Sequence, residues 1–404
     1  MIASREPGSP QGDQAKWPGL AFEERAWESS YARIPRRHQL THRGPYRAAV
    51  PPNIAAADPR LTLALLGAAD EATAELARFD AETGGDLAPF SALLLRSEAA
   101  ASSQIENLTA SAKAIATAEL GPAQRNASII VANTRAMQAA LALADRLDTQ
   151  AIIDMHAVLL SATHPEWAGH FRDEQVWIGG TNHGPHEARF VPPHHDRVPP
   201  AMDDLIAFLA RDNLPVLVQA ALGHAQFETI HPFPDGNGRV GRALVQALLR
   251  AKRVTLTVTV PISAGLLTDR ETYFDALDAY RSGEIEPIVE AFADAAFRAV
   301  VNGRDLVTDL RSVTAAWREE IHARRDAAAW DLLELLTRQP VVNTALVQDA
   351  LDVSAPAARR AIEQLVEAEI LTQSSGDKRY RQFAATGVLD ALDAFAQRAG
   401  RRQP

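Results

Sequence analysis

Residues 231–242 read HPFPDGNGRVGR. Within them GNGRVG, residues 236–241, satisfies G-x-G-x-x-G, the pattern of dinucleotide-binding turns. That reading requires a buried strand before the first glycine and an acidic residue about 20 positions beyond it. Upstream, AALGHAQFETIHPFPD is helical in pattern and then broken by proline. Downstream, residues 243–268 contain no Asp or Glu. Both requirements fail, and no G-x-x-x-x-G-K-[ST] is present to make a Walker loop.

The stretch still has the physics of an anion site. Gly236-Asn237-Gly238 precedes a strong helix former, so unpaired backbone N–H groups point outward at a helix start. Arg239 and Arg242 lie three apart on one face of the first turns. Cations there oppose the helix dipole, which a polyphosphate would offset. The competing reading is a surface helix whose arginines pair with acids, but Asp235 alone cannot balance both. His231 sits just before the cradle and can take a proton at neutral pH. Asp235 is a hard oxygen ligand of the kind that holds Mg²⁺ beside phosphates.

This constellation resembles the Fic family, whose motif H-x-F-x-[D/E]-G-N-G-R-x-x-R is matched by His231, Phe233, Asp235, Gly236, Asn237, Gly238, Arg239 and Arg242. SALLLRSEAAASSQIENLTAS resembles the segment preceding the family's core. GHFRDEQVWIGG and ARFVPP resemble its target-docking flap, with Trp177, Ile178, Gly179, Gly180 and Phe190. DRETYFDAL resembles the segment closing the adenine pocket, with Tyr273 and Phe274. The resemblance spans about residues 50 to 390. It implies transfer of AMP from ATP to a Ser, Thr or Tyr hydroxyl of a target protein. His231 would be the base. Asp235 would hold Mg²⁺, and Gly236, Asn237 and Gly238 would line the anion hole with Asn237 on the α-phosphate. Arg239 would stabilise the phosphates and Arg242 the γ-phosphate. The flap would grip the target backbone by strand addition. SSQIEN, residues 102–107, fits the family's inhibitory motif. Ser102 and Glu106 then share a helix face, and Glu106 is expected to occupy Arg242. Leu108 departs from the usual continuation of that motif. Removal of AMP by the same residues, a winged-helix regulator that senses nucleotide, and transfer from another nucleotide stay open as alternatives.

The rest of the chain fits a mainly α fold. Residues 1–50 read as an extended arm. Helical periodicity marks 59–81, 88–119, 127–146, 149–162, 199–212, 214–230, 239–254, 269–283 and a long segment over 286–325. The divisions expected are a helical segment with the inhibitory motif over 51–120, a catalytic core over 121–300, a linking helix over 301–328 and a tail over 397–404. The runs QVWI and ARFV read as a hairpin with a long tip. His183, His186, His194 and His195 near it are read as polar loop residues rather than a metal cluster. Residues 329–396 resemble a winged helix: three short helices, then a two-stranded wing turning at Ser-Gly-Asp. From 329 to the end, nine Lys and Arg face ten Asp and Glu, so the basic footprint of a DNA reader is missing. Protein contact or homodimer formation is the expected use of this part, with DNA binding not favoured.

Composition narrows the setting. The net charge of −10 argues against a general binder of nucleic acid or acidic membrane. Without cysteine there is neither a disulfide framework nor a thiolate metal site. The opening MIASREPGSPQGDQAKW lacks a signal peptide's apolar run, and no stretch reads as a membrane span. A cytoplasmic protein is the expectation.

Overall fold

The computed structural model describes residues 17–27, 42–83, 90–121, 123–181, 183–321, 327–374 and 381–400. Its organising element is the helix Val216–Ile230, in which every residue from Leu217 onward is buried. A helix buried on all sides belongs at the centre of a bundle. In chain order the helices are α1 (Leu63–Thr83), α2 (Ser91–Ile105), α3 (Ala112–Ala118), α4 (Arg125–Ala142), α5 (Thr149–Leu160), α6 (Val198–Leu209), α7 (Val216–Ile230) and α8 (Asn237–Ala251). They continue as α9 (Ile262–Thr268), α10 (Arg270–Arg281), α11 (Glu286–Glu320), α12 (Ala328–Leu336), α13 (Thr344–Leu351), α14 (Ala355–Glu367) and α15 (Thr386–Arg398). Around α7 pack α1, α6, α8, α10 and α11. Gly223 lets α6 approach, since a Cβ there would collide with Leu209.

Several expectations change. Residues 88–119 do not form one helix: α2 stops at Ile105, within the inhibitory motif. Asn107 adopts φ +62° and closes a Schellman turn. Its N–H donates to Gln104 O at 2.8 Å, and the Leu108 N–H to Ser103 O at 3.1 Å. Ser111 then caps α3 by accepting from Ala114 N. The linking helix over 301–328 does not exist separately, because α11 runs unbroken from Glu286 to Glu320.

Part of the expected extended arm pairs as strands. Strand β1 (Ala21–Arg25) pairs antiparallel with β2 (Tyr46–Val50), Ala21 opposite Val50 and Arg25 opposite Tyr46. Tyr46, Ala48 and Ala49 are buried, which gives β2 the apolar face a polar arm lacks. Residues 1–16 and 28–41 of the arm lie outside the described residues.

In the C-terminal part, α12 leads to β3 (Val341–Val342). After α13 and α14 come β4 (Leu371–Gln373) and β5 (Phe383–Ala385), forming a sheet of order β3-β5-β4. The expected Ser-Gly-Asp turn falls largely in residues 375–380, outside the described residues, as do 401–404 of the tail. Helix α15, not anticipated, folds back on α11, where Asn302 Nδ2 donates to Phe395 O and Arg398 Nε to Asn302 Oδ1. Among the described residues no helix is long and apolar enough to cross a membrane.

Candidate active site

The chain leaves α7 through His231, whose left-handed backbone (φ +49°, ψ 61°) ends the helix before Pro232. Six residues later α8 begins. Gly236 is its N-cap at φ +80°, with no side-chain cap. The first intrahelical bond of α8 runs from Val240 N to Gly236 O, so the N–H groups of Asn237, Gly238 and Arg239 precede the ladder and face the cleft end. Gly236 needs its glycine twice, for the positive φ and because a Cβ would lie 2.8 Å from Leu159 Cδ2.

This loop is locked by its own side chains. Asn237 Oδ1 accepts from Phe233 N and its Nδ2 donates to Phe233 O, both at 2.8 Å. Phe233 stacks on His156 with centroids 3.8 Å apart. His156 Nδ1 accepts from Gly169 N, so the ring proton sits on Nε2, which donates to Asp235 O at 3.2 Å. Burial pushes the His156 pKa down to about 4, which keeps this neutral form in place. Arg172 holds the other end: Nε donates to His231 O at 2.8 Å, Nη2 to Pro193 O, and its N–H to Pro232 O. Neither His156 nor Arg172 stood out in the sequence, since a histidine on a helical face and an arginine in a loop carry no spacing signal.

Arg239 and Arg242 are both almost fully buried. Arg242 Nε donates to Ser102 Oγ and its Nη2 to Ser102 O, each at 2.8 Å; Nη2 also donates to Glu106 Oε1 at 2.7 Å. Burial works against the charge of Arg242, but Glu106, Tyr273 and Glu228 outweigh it and hold the pKa above its ordinary value. Glu106 Oε2 lies 2.9 Å from Arg239 Nε, an ion pair without hydrogen-bond alignment. Glu106 therefore spans both arginines, where the sequence pointed to Arg242 alone. Asp235, 47% open, sits 3.3 Å from Arg239 Nη2. A cleft of about 310 Å³ opens here between Asp235, Arg239, Glu106, Arg125 and Thr163.

His231 keeps 19% of its side chain exposed. Burial of the rest, then the charges of Arg172 and Arg281, push its pKa down to about 3, so the ring is neutral at physiological pH. The flap lies alongside, but among the described residues the expected hairpin is reduced to a single bridge, Ile178 with Phe190. Gly179 and Gly180 take φ of +77° and +74°, and Trp177 Nε1 donates to Thr181 O, so the chain curls before a second pair forms. Phe190 is covered by Arg281 of α10 at 3.8 Å from its centroid. Strand β2 supports the flap, Ala49 N donating to Val191 O. The nearby histidines fall into two groups: His183 and His186 both pack against His42, and His194 lies against His195 with ring centroids 4.1 Å apart. His186 Nε2 lies 3.1 Å from Gly44 O, His194 Nδ1 3.0 Å from Asp196 Oδ1, and His183 6.1 Å ring to ring from His42.

Two expected nucleotide contacts change. Tyr273 is 1% exposed, and its hydroxyl lies 2.8 Å from His224 Nε2 inside the core. Phe274 is half-buried, under Arg270, and keeps an accessible face. The Asn237 side chain, expected on the α-phosphate, is engaged by the Phe233 backbone, leaving its N–H for an anion.

Residues 146–249 match the Fic/DOC family model. The chain is 31% identical over 159 residues to a protein adenylyltransferase Fic of Nematostella vectensis, and 31% over 157 residues to one of Aedes aegypti. These matches take in 37% and 39% of this chain but only 32% and 29% of the relatives' own lengths. A crystal structure of a Fic family protein from Desulfovibrio desulfuricans superposes over 81% of this chain and 98% of its own, with TM-score 0.51 and 23% identity, a likeness of fold.

Proposed function

We propose, from the premise that the chain carries a Fic domain over residues 146–249, that it transfers AMP from ATP to a hydroxyl side chain of a target protein and that Glu106 holds this activity in check. The observation that carries the reading is the pair of buried arginines at the start of α8, neutralised by one half-open carboxylate from another helix. Two buried guanidinium groups, three free N–H groups and a positive helix end suit a polyphosphate better than a single carboxylate. The neutral His231 would accept the hydroxyl proton while the oxygen attacks the α-phosphorus and the bond to pyrophosphate breaks. Arg239 and Arg242 would steady the phosphates, and Phe274 would cover the base. The flap's backbone would align the target segment by strand addition.

Among the described residues no group of three or more His, Asp or Glu side chains gathers as a metal cage. A Mg²⁺ ion held by one carboxylate and the nucleotide phosphates fits the exposed Asp235. Such an ion supplies charge neutralisation on the phosphates. We assign the C-terminal helices and sheet to protein contact, in the manner of a winged helix whose charges nearly balance.

The test is incorporation of label by Glu106→Gly from ATP labelled on the α- or the γ-phosphate. Label from α alone is expected. Label from γ, or from neither, sinks the reading.

A further inference from the structure

Glu228 is a buried acid that the chemistry above leaves unused. It lies on the last turn of α7, three residues before His231, and is 7% exposed. Its Oε1 has no hydrogen-bond partner, and its Oε2 lies 3.8 Å from His231 Nδ1. His231 Nδ1 is itself buried without a well-aligned hydrogen bond, although the Glu228 backbone interacts with the ring. Glu228 thus keeps one oxygen unsatisfied while its other oxygen stands slightly too far from His231 Nδ1 for a bond, an arrangement that is costly unless some state brings the carboxylate and the ring together. The left-handed turn at His231 sets the ring beside the preceding turn of α7.

We propose that Glu228 is the positioning residue of His231: in the reacting state its Oε2 accepts a hydrogen bond from Nδ1–H, fixing the tautomer that presents the Nε2 lone pair to the target hydroxyl. The inference rests on the adenylyl-transfer reading. The hydroxyl proton passes to Nε2 as oxygen bonds to the α-phosphorus and pyrophosphate leaves. The imidazolium so formed lies against the Glu228 carboxylate. Orienting a base by a buried acid is the general logic of nucleophile–base–orienter triads.

The charges around the pair favour a carboxylate that responds to the state of the site. Arg242 from α8, Arg281 from α10 and Glu106 from the end of α2 face Glu228; Arg172, Arg281 and Asp235 face His231. Burial lifts the Glu228 pKa to about 7, Glu106 adds to the rise, and Arg242 and Arg281 oppose it. Loss of Glu106 removes one of the charges that raise the Glu228 pKa, while the phosphates of a bound nucleotide would bring negative charge to Arg242 in its place.

The experiment uses the full chain in the Glu106→Gly background, with Glu228→Gln and Glu228→Ala. Steady-state AMP transfer is measured across pH, and the His231 ring nitrogens are followed by ¹⁵N NMR with and without a non-hydrolysable ATP analogue. We expect kcat to fall on the order of 100-fold in Glu228→Ala, with the KM for ATP nearly unchanged. Glu228→Gln, which keeps an acceptor, should fall less. The acid limb of the parent should move to lower pH in Glu228→Gln. The Nδ1–H tautomer should dominate in the parent with the analogue and become mixed in Glu228→Ala. Unchanged kcat and pH profile, or an unchanged tautomer in Glu228→Ala, overturns the proposal. If the parent transfers no AMP, the transfer reading fails instead, and the ring tautomer still decides the role of Glu228.

Discussion

Two segments meet at Arg242, and they are held in different ways. The loop from His231 to Asn237 is fixed by crossing restraints: the Asn237 amide on Phe233, the His156 ring under Phe233, and Arg172 on the His231 carbonyl. Helix α2 is fixed along its body. Glu98 accepts from Ser263 N, Ser263 Oγ and Gln246 Nε2, and Asn133 Nδ2 donates to Ala99 O and Ser103 Oγ. At its end, however, α2 offers one carboxylate, 27% open, from the C-cap residue of a Schellman turn. The loop is held through its backbone and buried side chains, whereas Glu106 is held by its two ion pairs. On the proposed reading, a switch here needs rotation of Glu106 rather than departure of the helix.

The largest effect expected on the rigid side is at His231. His231→Ala in the Glu106→Gly background should lower AMP transfer by about 1,000-fold while ATP still binds, because the cradle remains and the base is gone. Equal rates in α-labelled incorporation would remove the assigned base.

On the movable side, Glu106→Gly should raise transfer by about 100-fold over wild type, since it frees both Arg239 and Arg242 for the phosphates. Equal incorporation by the two proteins would show that the contact does not restrain the reaction.

The body of α2 gives the next effect, on stability. Burial raises the Glu98 pKa to about 7, so between its unfolded value near ~4.3 and that pH the folded protein keeps a proton the unfolded chain has lost. Its contribution therefore falls as pH rises through this window, by about 2.5 kcal/mol from pH 5 to pH 8. His156, His224 and His231, whose pKa values are lowered, act in the opposite direction. The difference between wild type and Glu98→Gln in urea unfolding isolates Glu98: the variant should lose less stability on going from pH 5 to pH 8. An identical change in both would remove this account of α2.

The helical fold and the phosphate loop were legible because their signals are local. Glycines at a helix start, a histidine before them and arginines three apart declare themselves by spacing. The inhibitory Ser102 and Glu106 were legible only beside that motif, and the second partner of Glu106, Arg239, depends on how α2 crosses α8. The restraints from Arg172, His156 and Glu98 join segments far apart in sequence and have no local pattern. Strand β2 was hidden by the polar composition of the arm, and the single-bridge flap by glycines whose positive φ values curl the chain. Asn107 stopped α2 where helical periodicity ran on, because a left-handed cap overrides periodicity.

The smallest effect sharpens the boundary between site and scaffold. Tyr273 resembles an adenine-pocket residue by its place in the sequence, but its ring is enclosed and its hydroxyl faces His224 Nε2. Burial, reinforced by Glu228, raises the phenol's pKa, so it stays protonated and can donate to the imidazole. Burial in turn lowers the His224 pKa to about 3, which leaves the ring neutral and able to accept. Tyr273→Phe deletes one buried hydrogen bond and leaves His224 Nε2 unsatisfied, a cost of about 1 kcal/mol. No nucleotide contact is lost, so the KM for ATP in the Glu106→Gly background should stay the same. Phe274→Ala, by contrast, removes an accessible ring and should raise that KM several-fold. Urea unfolding and ATP titration of the two variants separate the cases. A raised KM with unchanged stability in Tyr273→Phe would place the tyrosine in the nucleotide pocket after all, and would mean that α10 opens when ATP binds.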